Sequence, residues 1–314
     1  MYSLVIPVYR NEASLPDLID AVAGIAAALD GPFEAVFVVD GSPDRSYPVL
    51  REKLPSAPFA SQLLSLSRNF GSFAAIRSGL QAARGDYFAV MAADLQEPPE
   101  LAVQFFRRLR NDEADIVVGT RDARDDPWAS KAASSLFWKS YRWLINPDIP
   151  AGGVDVFGCN RNFLDQLLAL DERHSSLIGL MFWLGFRRLV VPYARRARVH
   201  GKSGWTFRRK LTYMLDSVFA FSDLPIRLLL AVGLVGVAVA LLFGLVVLIV
   251  RLFGGALVPG YAATIIAIMF FGGLNALGLG IIGAYVWRAF ANTQRRPLAV
   301  VMRSESFPLK TGQP

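Results

Sequence analysis

Short apolar runs and helically spaced apolar positions take turns along the first part of the chain. Leu4-Val-Ile-Pro-Val8 is a continuous apolar run of strand length. Behind it, Ser14 stands as an N-cap before Leu15, Leu18, Ile19 and Val22, which recur at helical spacing. Ala35 to Val39 predicts a second strand ending at Asp40-Gly41-Ser42, and Leu63 to Leu66 a third. Gly71 to Ala83 reads as helix with Gly85-Asp86 as its stop. Tyr87 to Met91 is a fourth strand ending at Asp94, Glu100 to Arg110 is helical, and Ile116-Val-Val118 is a fifth strand. This alternation predicts a parallel sheet with helices on both faces. Ligands of such sheets bind outside the carboxyl ends of the strands. Asp40, Asp94 and Arg121 all fall at such ends.

Further along, the pattern changes. Ile226 to Val250 and Ala262 to Trp287 are apolar for longer than the roughly 20 residues needed to cross a ~30 Å hydrocarbon layer. Leu252 to Tyr261, between them, is uncharged and rich in turn residues. The alternative is a buried hairpin in a soluble domain, yet residues 228–287 hold one charged side chain, Arg251, which no soluble core requires. Residues 208–223 place Leu211, Met214, Leu215, Val218 and Phe219 on one side, behind Arg208-Arg209-Lys210. Next to a membrane span this predicts an interfacial helix rather than a core helix. Gly272, Gly273, Gly278, Gly280 and Gly283 stripe the second span and permit close helix approach, either to the first span or in a homo-oligomer. Asn275 fits an interhelical hydrogen bond.

Composition agrees and adds direction. The 314 residues are 53% hydrophobic with a mean hydropathy of +0.36, too apolar for an ordinary soluble enzyme and incompatible with disorder. The single Cys159 excludes an intrachain disulfide and a cysteine-clustered metal site, and two histidines leave little for a zinc centre. Met1-Tyr2-Ser3 leads straight into a strand pattern, so a secretory signal is not expected there. The net charge of +7 is partitioned: −6 over residues 1–186, +8 over 187–227 and +4 over 288–314. Basic flanks prefer the cytoplasm, which predicts both long arms there and the hairpin outside. The expected organisation is a cytoplasmic catalytic domain (1–207), an interfacial helix (208–225), spans at 226–251 and 262–287 joined by an extracytoplasmic hairpin (252–261), and a basic cytoplasmic tail (288–314).

An Asp after a strand, followed by Gly-Ser, can accept hydrogen bonds from a base or ribose. Asp94 in a turn, with Gln96 and Glu97 close by, offers hard oxygen ligands for Mg²⁺ or Mn²⁺. Such an ion neutralises charge that builds on a phosphate leaving group. Spacing alone leaves open that Asp94 merely caps the turn before Pro98-Pro99. Gly201-Lys-Ser-Gly204 lacks the upstream glycine of a P-loop. The basic run adjoins a membrane span, which argues against nucleic acid as a partner. His174 fits a loop or cap, His200 lies in the basic run within reach of a phosphate, and Cys159 fits a buried apolar site. Trp138, Trp143 and Trp183 fit packing or interface anchors better than sugar platforms.

Val5-Ile-Pro-Val-Tyr-Arg-Asn-Glu12, Val39-Asp-Gly-Ser-Pro-Asp44, Ser67-Arg-Asn-Phe-Gly71 and Ala93-Asp-Leu-Gln-Glu-Pro-Pro-Glu100 together resemble the family 2 glycosyltransferases that load sugars onto polyprenyl phosphates, such as dolichol-phosphate mannose synthases and bactoprenol glucosyltransferases. Gly119-Thr-Arg121, Leu180 to Pro192 and Ser222-Asp-Leu-Pro-Ile-Arg-Leu228 continue the similarity, which covers nearly the whole chain. The resemblance implies an α/β GT-A nucleotide-diphospho-sugar transferase domain, Rossmann-like with a mainly parallel sheet, followed by two transmembrane helices. It implies a multi-pass protein of a bacterial-type inner (plasma) membrane, a divalent metal, a nucleotide-sugar donor, a polyprenyl phosphate acceptor and inverting transfer. By the same likeness Pro7, Tyr9, Glu12, Asp40, Ser42, Arg68 and Asp94 line the nucleotide-sugar pocket. Asp94 and Gln96 are the metal-site residues, Asp94 and Asp155 the catalytic ones, and Arg121, Lys131 and Ser135 are placed for phosphate contacts. Separately, the acid-free basic run 187–210 can serve both lipid headgroups and the acceptor phosphate, with Arg198 and Lys202 nearest the site.

The chain departs from the family pattern in places. Val39 stands for the first acid of Asp-Asp-Gly-Ser and Ala92 for the first acid of Asp-x-Asp. Val156-Phe157 after Asp155 lacks the usual arginine, and Ile178 precedes Gly179 where relatives carry arginine. The metal site thus has one carboxylate fewer, which phosphate oxygens and waters can make up. A phosphate monoester acceptor is largely dianionic at neutral pH and needs no strong base. The expected product is a lipid-linked sugar for cell-envelope glycan modification, with a UDP-sugar as the favoured donor and UDP-glucose as one candidate. Competing expectations are a glycolipid synthase with a hydroxyl acceptor, which needs a real general base, and a degenerate nucleotide-binding membrane scaffold, kept open by Ala92.

Overall fold

A computed structural model describes residues 1–121, 139, 142, 146–150, 153–172, 175–196, 207–253 and 260–309. The strands are β1 (Tyr2–Val8), β2 (Phe33–Val39), β3 (Ala60–Leu66), β4 (Tyr87–Val90), β5 (Ile116–Arg121), β6 (Val156–Asn160), β7 (Arg188–Tyr193) and β8 (Val301–Phe307). The helices are α1 (Leu15–Ala27), α2 (Ser46–Lys53), α3 (Ser72–Ala82), α4 (Pro99–Arg110), α5 (Arg161–Ala169), α6 (Leu177–Trp183), α7 (Phe207–Phe221), α8 (Leu224–Leu252) and α9 (Tyr261–Thr293).

The strands form one sheet in the order β7-β5-β6-β4-β1-β2-β3-β8. β1 pairs in parallel with β2 and β4, β2 with β3, and β5 with β7. β6 runs antiparallel between β4 and β5, and β8 runs antiparallel along β3. The sheet is therefore mixed and mostly parallel. β2 is buried at every position, as expected of a strand covered on both faces. On one face Leu15, Leu18 and Val22 of α1, Leu50 of α2 and Phe105 and Phe106 of α4 pack on the strands. On the other lie Ile76 and Leu80 of α3, Phe163 and Leu167 of α5 and Leu180 and Phe182 of α6. This doubly covered sheet with helical crossovers is the GT-A architecture that the motifs imply.

The direction of β6 matters for the site. Because it is antiparallel, its first residues lie beside the last residues of β5, with Val156 opposite Gly119. Asp155 thereby reaches the same sheet edge as Asp40, Asp94 and Arg121.

α8 and α9 are long and apolar enough to cross a membrane, and almost none of their apolar surface is buried within the protein. Leu234 on α8 and Met269 on α9 are 73% and 72% exposed, which a soluble core helix is not. The segment after α9 does not end as a free tail. β8 adds to the edge of β3, the Val300 carbonyl accepts from Ser67 N (2.9 Å), and Glu305 accepts from the Tyr47 hydroxyl and from Arg51 Nε (3.0 Å). Where α7 meets α9, Arg288 Nη2 donates to Asp216 Oδ1 (2.8 Å) and the Tyr285 hydroxyl donates to the Ser222 carbonyl (3.2 Å). A β-carbon on Gly179 of α6 would run into the Phe221 ring of α7, so this close approach requires glycine.

Candidate active site

Three loops at the carboxyl ends of β1, β2 and β3 lock onto one another. Arg10, held at φ 57°, donates its N–H to Ser42 Oγ (2.8 Å), and Glu12 N donates to Asp44 Oδ2 (3.1 Å). In return Glu12 Oε2 accepts from Arg45 N (3.0 Å), and Ser42 Oγ donates to Asp44 Oδ1 (2.6 Å). Burial pushes the Asp44 carboxyl up, but hydrogen bonds from Ser42, Ser46 and the backbone outweigh it and hold the group below its ordinary range. Glu12 and Ser42 thus spend hydrogen bonds on joining the loops after β1 and β2. Tyr9 beside them is 37% exposed, with the Arg10 guanidinium 5.4 Å from its ring. Pro7 lies within β1 opposite Val38.

Asp40 is buried, and both its oxygens are engaged by the loop after β3: Oδ1 accepts from Phe70 N (2.7 Å) and Oδ2 from Gly71 N (2.8 Å). Burial raises its pKa, and these two bonds oppose the rise. Gly41, at φ 55°, lies so close to the Arg68 and Asn69 backbone that no side chain fits. Arg68 remains exposed, its guanidinium 4.0 Å over the Phe70 ring. Pro7, Tyr9, Glu12, Asp40, Ser42 and Arg68 therefore share one edge, with Asp40 positioning the loop that carries Arg68.

At the end of β4 the chain turns sharply. Leu95 adopts φ 54°, a left-handed conformation unfavourable for a residue with a side chain, and Gln96 N donates to Asp94 Oδ1 (3.3 Å). The turn buries Gln96 and Glu97. Glu97 Oε2 has no hydrogen-bond partner. Burial first, then the neighbouring Asp94 and Asp155 charges, push the Glu97 pKa up to about 7, against the pull of Arg195. Arg195, just beyond β7, donates Nη2 to Gln96 Oε1, and Arg196 N donates to the Gln96 carbonyl (2.9 Å).

Across the edge, Arg121 at the end of β5 clamps Asp155, its Nε on Oδ2 and its Nη2 on Oδ1 (2.7 Å). The Tyr193 hydroxyl donates to Asp155 Oδ2 (2.8 Å). Burial together with the Asp155 charge drives the Tyr193 pKa far above its ordinary value, so the phenol stays a donor. Asp155 is tied by three hydrogen bonds. The structure brings Asp94, Gln96, Arg121 and Asp155 to one edge. Lys131, Ser135, Arg198 and Lys202 lie outside the described residues. Tyr193 was not expected at the site, although its place at the end of the apolar run Leu189-Val-Val-Pro-Tyr193 is the kind of signal that marks Asp40 and Arg121.

A divalent cation fits this donor set. The Asp94 carboxylate, the Gln96 amide oxygen and the buried, unpartnered Glu97 oxygen are all hard ligands. Among the described residues no group of three His, Cys, Asp or Glu side chains is placed to hold a metal ion. A cation at Asp94 would have to draw most of its ligands from substrate phosphates and water.

The family model described as Glycosyl transferase family 2 matches residues 3–168. The chain is 30% identical to "Uncharacterized glycosyltransferase YkcC" of Bacillus subtilis, over 96% of this chain and 94% of that protein. It is 28% identical to "Prophage bactoprenol glucosyl transferase homolog" of Escherichia coli, over 96% of this chain and 98% of that protein. It is 31% identical to "Undecaprenyl-phosphate 4-deoxy-4-formamido-L-arabinose transferase" of Aeromonas hydrophila, over 98% of this chain and 96% of that protein.

Proposed function

The chain belongs to glycosyl transferase family 2, and we propose that it transfers a sugar from a nucleotide-diphospho-sugar, a UDP-sugar in the favoured case, to a polyprenyl phosphate such as undecaprenyl phosphate at the cytoplasmic face of a plasma membrane. One observation carries this reading. The polar sheet edge and two membrane-length apolar helices belong to one chain, along which proteins named for bactoprenol and undecaprenyl-phosphate transfer match almost end to end.

In the proposed reaction a phosphate oxygen of the acceptor attacks the anomeric carbon. The bond from that carbon to the β-phosphate oxygen breaks, and the nucleoside diphosphate leaves with both bonding electrons, inverting the configuration. The nucleophile is already anionic, so no strong base is needed. What the protein supplies is alignment of two anions and a field that accepts negative charge. Arg121 is suited to the acceptor phosphate: its guanidinium is fixed by Asp155, and Tyr193 fixes Asp155 from the other side. Asp94 and Gln96 would hold a divalent cation, which when bound stabilises the diphosphate leaving group. The loops of Tyr9, Asp40 and Arg68 would shape the nucleotide pocket.

The cytoplasmic placement is supported by the sheet itself. β1 to β7 precede the two apolar helices and β8 follows them, yet all share one sheet, so the chain must leave and return to the same side. Basic segments flanking the spans favour the cytoplasm for that side. Purified protein incubated with undecaprenyl phosphate, Mg²⁺ or Mn²⁺ and radiolabelled UDP- and GDP-sugars tests the proposal. A labelled lipid with one donor is the expected result, and no labelled lipid with any donor refutes it.

A further inference from the structure

The loop that carries Arg68 is fastened from two sides, and one of them is supplied by the chain that follows the two apolar helices. We infer that β8 is part of the donor site: through the backbone of Ser67 it positions Arg68 for the nucleotide diphosphate. This rests on the proposed nucleotide pocket and adds to it a segment outside every motif of the sheet edge.

Three observations converge. The ladder between β2 and β3 stops at Val39 and Ser65, whereas β8 follows β3 one residue further, with Val301 opposite Leu66. Beyond that pair the Val300 carbonyl accepts from Ser67 N (2.9 Å), so β8 is the last strand to hold the backbone before Arg68. The register between β3 and β8 also shifts at this end: Arg303 faces Ser65 and Val301 faces Leu66, which leaves Met302 as an extra residue. Such a bulge re-aims a strand and is common beside active sites. The far side of the loop is closed as well. Asp40 holds Phe70 N (2.7 Å) and Gly71 N (2.8 Å), and Gly41 lies against the Arg68 and Asn69 backbone. Between these two fixed ends Arg68 is exposed, with its guanidinium 4.0 Å over the Phe70 ring. β8 is in turn anchored away from the site, where Glu305 accepts from the Tyr47 hydroxyl and from Arg51 Nε (3.0 Å). Only residues 294–300 separate it from α9, and Ala299 among them packs against the core on the α3 face of the sheet. The segment that leaves the second apolar helix therefore ends at the loop expected to meet the donor's phosphates.

Binding of UDP to the full-length protein in detergent, with GDP as the alternative probe, is measured by titration calorimetry and tests the inference apart from turnover. Ser67→Pro deletes the N–H that Val300 accepts and leaves Leu66 in the extended backbone that precedes a proline. It is expected to raise the Kd about five- to tenfold, and Arg68→Ala to raise it by a similar factor. The double variant is expected to bind no more weakly than Arg68→Ala alone, because the two changes act through one contact. Thermal unfolding checks that each variant is folded at the assay temperature. Glu305→Ala, which frees the far end of β8, takes the place of Ser67→Pro in the same cycle if the proline variant is not folded. Unchanged binding in Ser67→Pro, with weakened binding in Arg68→Ala, overturns the role of β8 and leaves the nucleotide pocket standing. Losses that multiply in the double variant show that β8 does not act through Arg68 and overturn the inference too. Unchanged binding in Arg68→Ala, or no binding of either nucleotide by the parent protein, removes the pocket reading and the inference with it.

Discussion

The Tyr193 hydroxyl and the Asp155 carboxylate are joined by a 2.8 Å hydrogen bond across the ends of β7 and β6. Arg121 holds the same carboxylate through two guanidinium nitrogens. Asp155→Asn keeps the shape but turns one acceptor into a donor facing other donors. With a phosphate acceptor, kcat/KM should fall about 10- to 100-fold through misplacement of Arg121. A hydroxyl acceptor would depend on Asp155 as base, and the loss would then exceed about 10³-fold. Initial rates at saturating donor separate the two.

Glu97 gives the fold an unusual pH dependence. Its carboxyl loses its proton at about 7 in the folded protein and at 4.5 when unfolded, because burial, Asp94 and Asp155 outweigh Arg195. Between those values only the unfolded chain has released its proton, so raising the pH destabilises the fold, by on the order of 3 kcal/mol in total. Above about 7 the penalty is complete and flat. In EDTA, Glu97→Gln should therefore melt like the parent at pH 4.5 and higher than the parent at pH 8. Identical melting at both values would show that the carboxyl is not held neutral.

Asp40 bridges two loops rather than pointing freely into the pocket. Removing it leaves the Phe70 and Gly71 N–H groups without their acceptor at the start of α3. Asp40→Ala should cost about 2–3 kcal/mol of stability and weaken UDP binding through displacement of Arg68. Asp40→Asn, which retains one acceptor, should lose about half as much. Denaturant unfolding and UDP titration measure both effects.

Cys159 is fully buried, which leaves a low background for thiol labelling. In the proposed topology, cysteines placed at Asp17 and at Met302 react with a membrane-impermeant maleimide only after the membrane is opened. One placed at Phe253 reacts in intact cells. Labelling of the Met302 position but not the Asp17 position from outside would contradict the shared sheet, and labelling of both would overturn the cytoplasmic orientation.

Much of the site was legible because strand ends are legible. Asp40, Asp94 and Arg121 each follow a short apolar run, and a parallel sheet gathers such ends at one edge. Asp155 precedes its strand, so its arrival at the same edge depends on the reversed direction of β6, which no local pattern encodes. Glu97 is buried just after a left-handed Leu95, a conformation that leucine rarely signals. The sequence of β8 reads as a basic tail for a related reason. Val301-Met-Arg-Ser-Glu-Ser-Phe307 is largely exposed, lacks a clean apolar face, and finds its partner β3 only through tertiary pairing.

β8 also sets an order of assembly. It is made after both apolar helices, so β3 is an open edge throughout synthesis of the catalytic half and insertion of the hairpin. In the proposed topology, completion of the sheet reports that α8 and α9 have entered and returned. A chain whose hairpin fails to insert correctly keeps an adhesive strand uncovered, marked for capture by whatever surveys nascent proteins at the membrane.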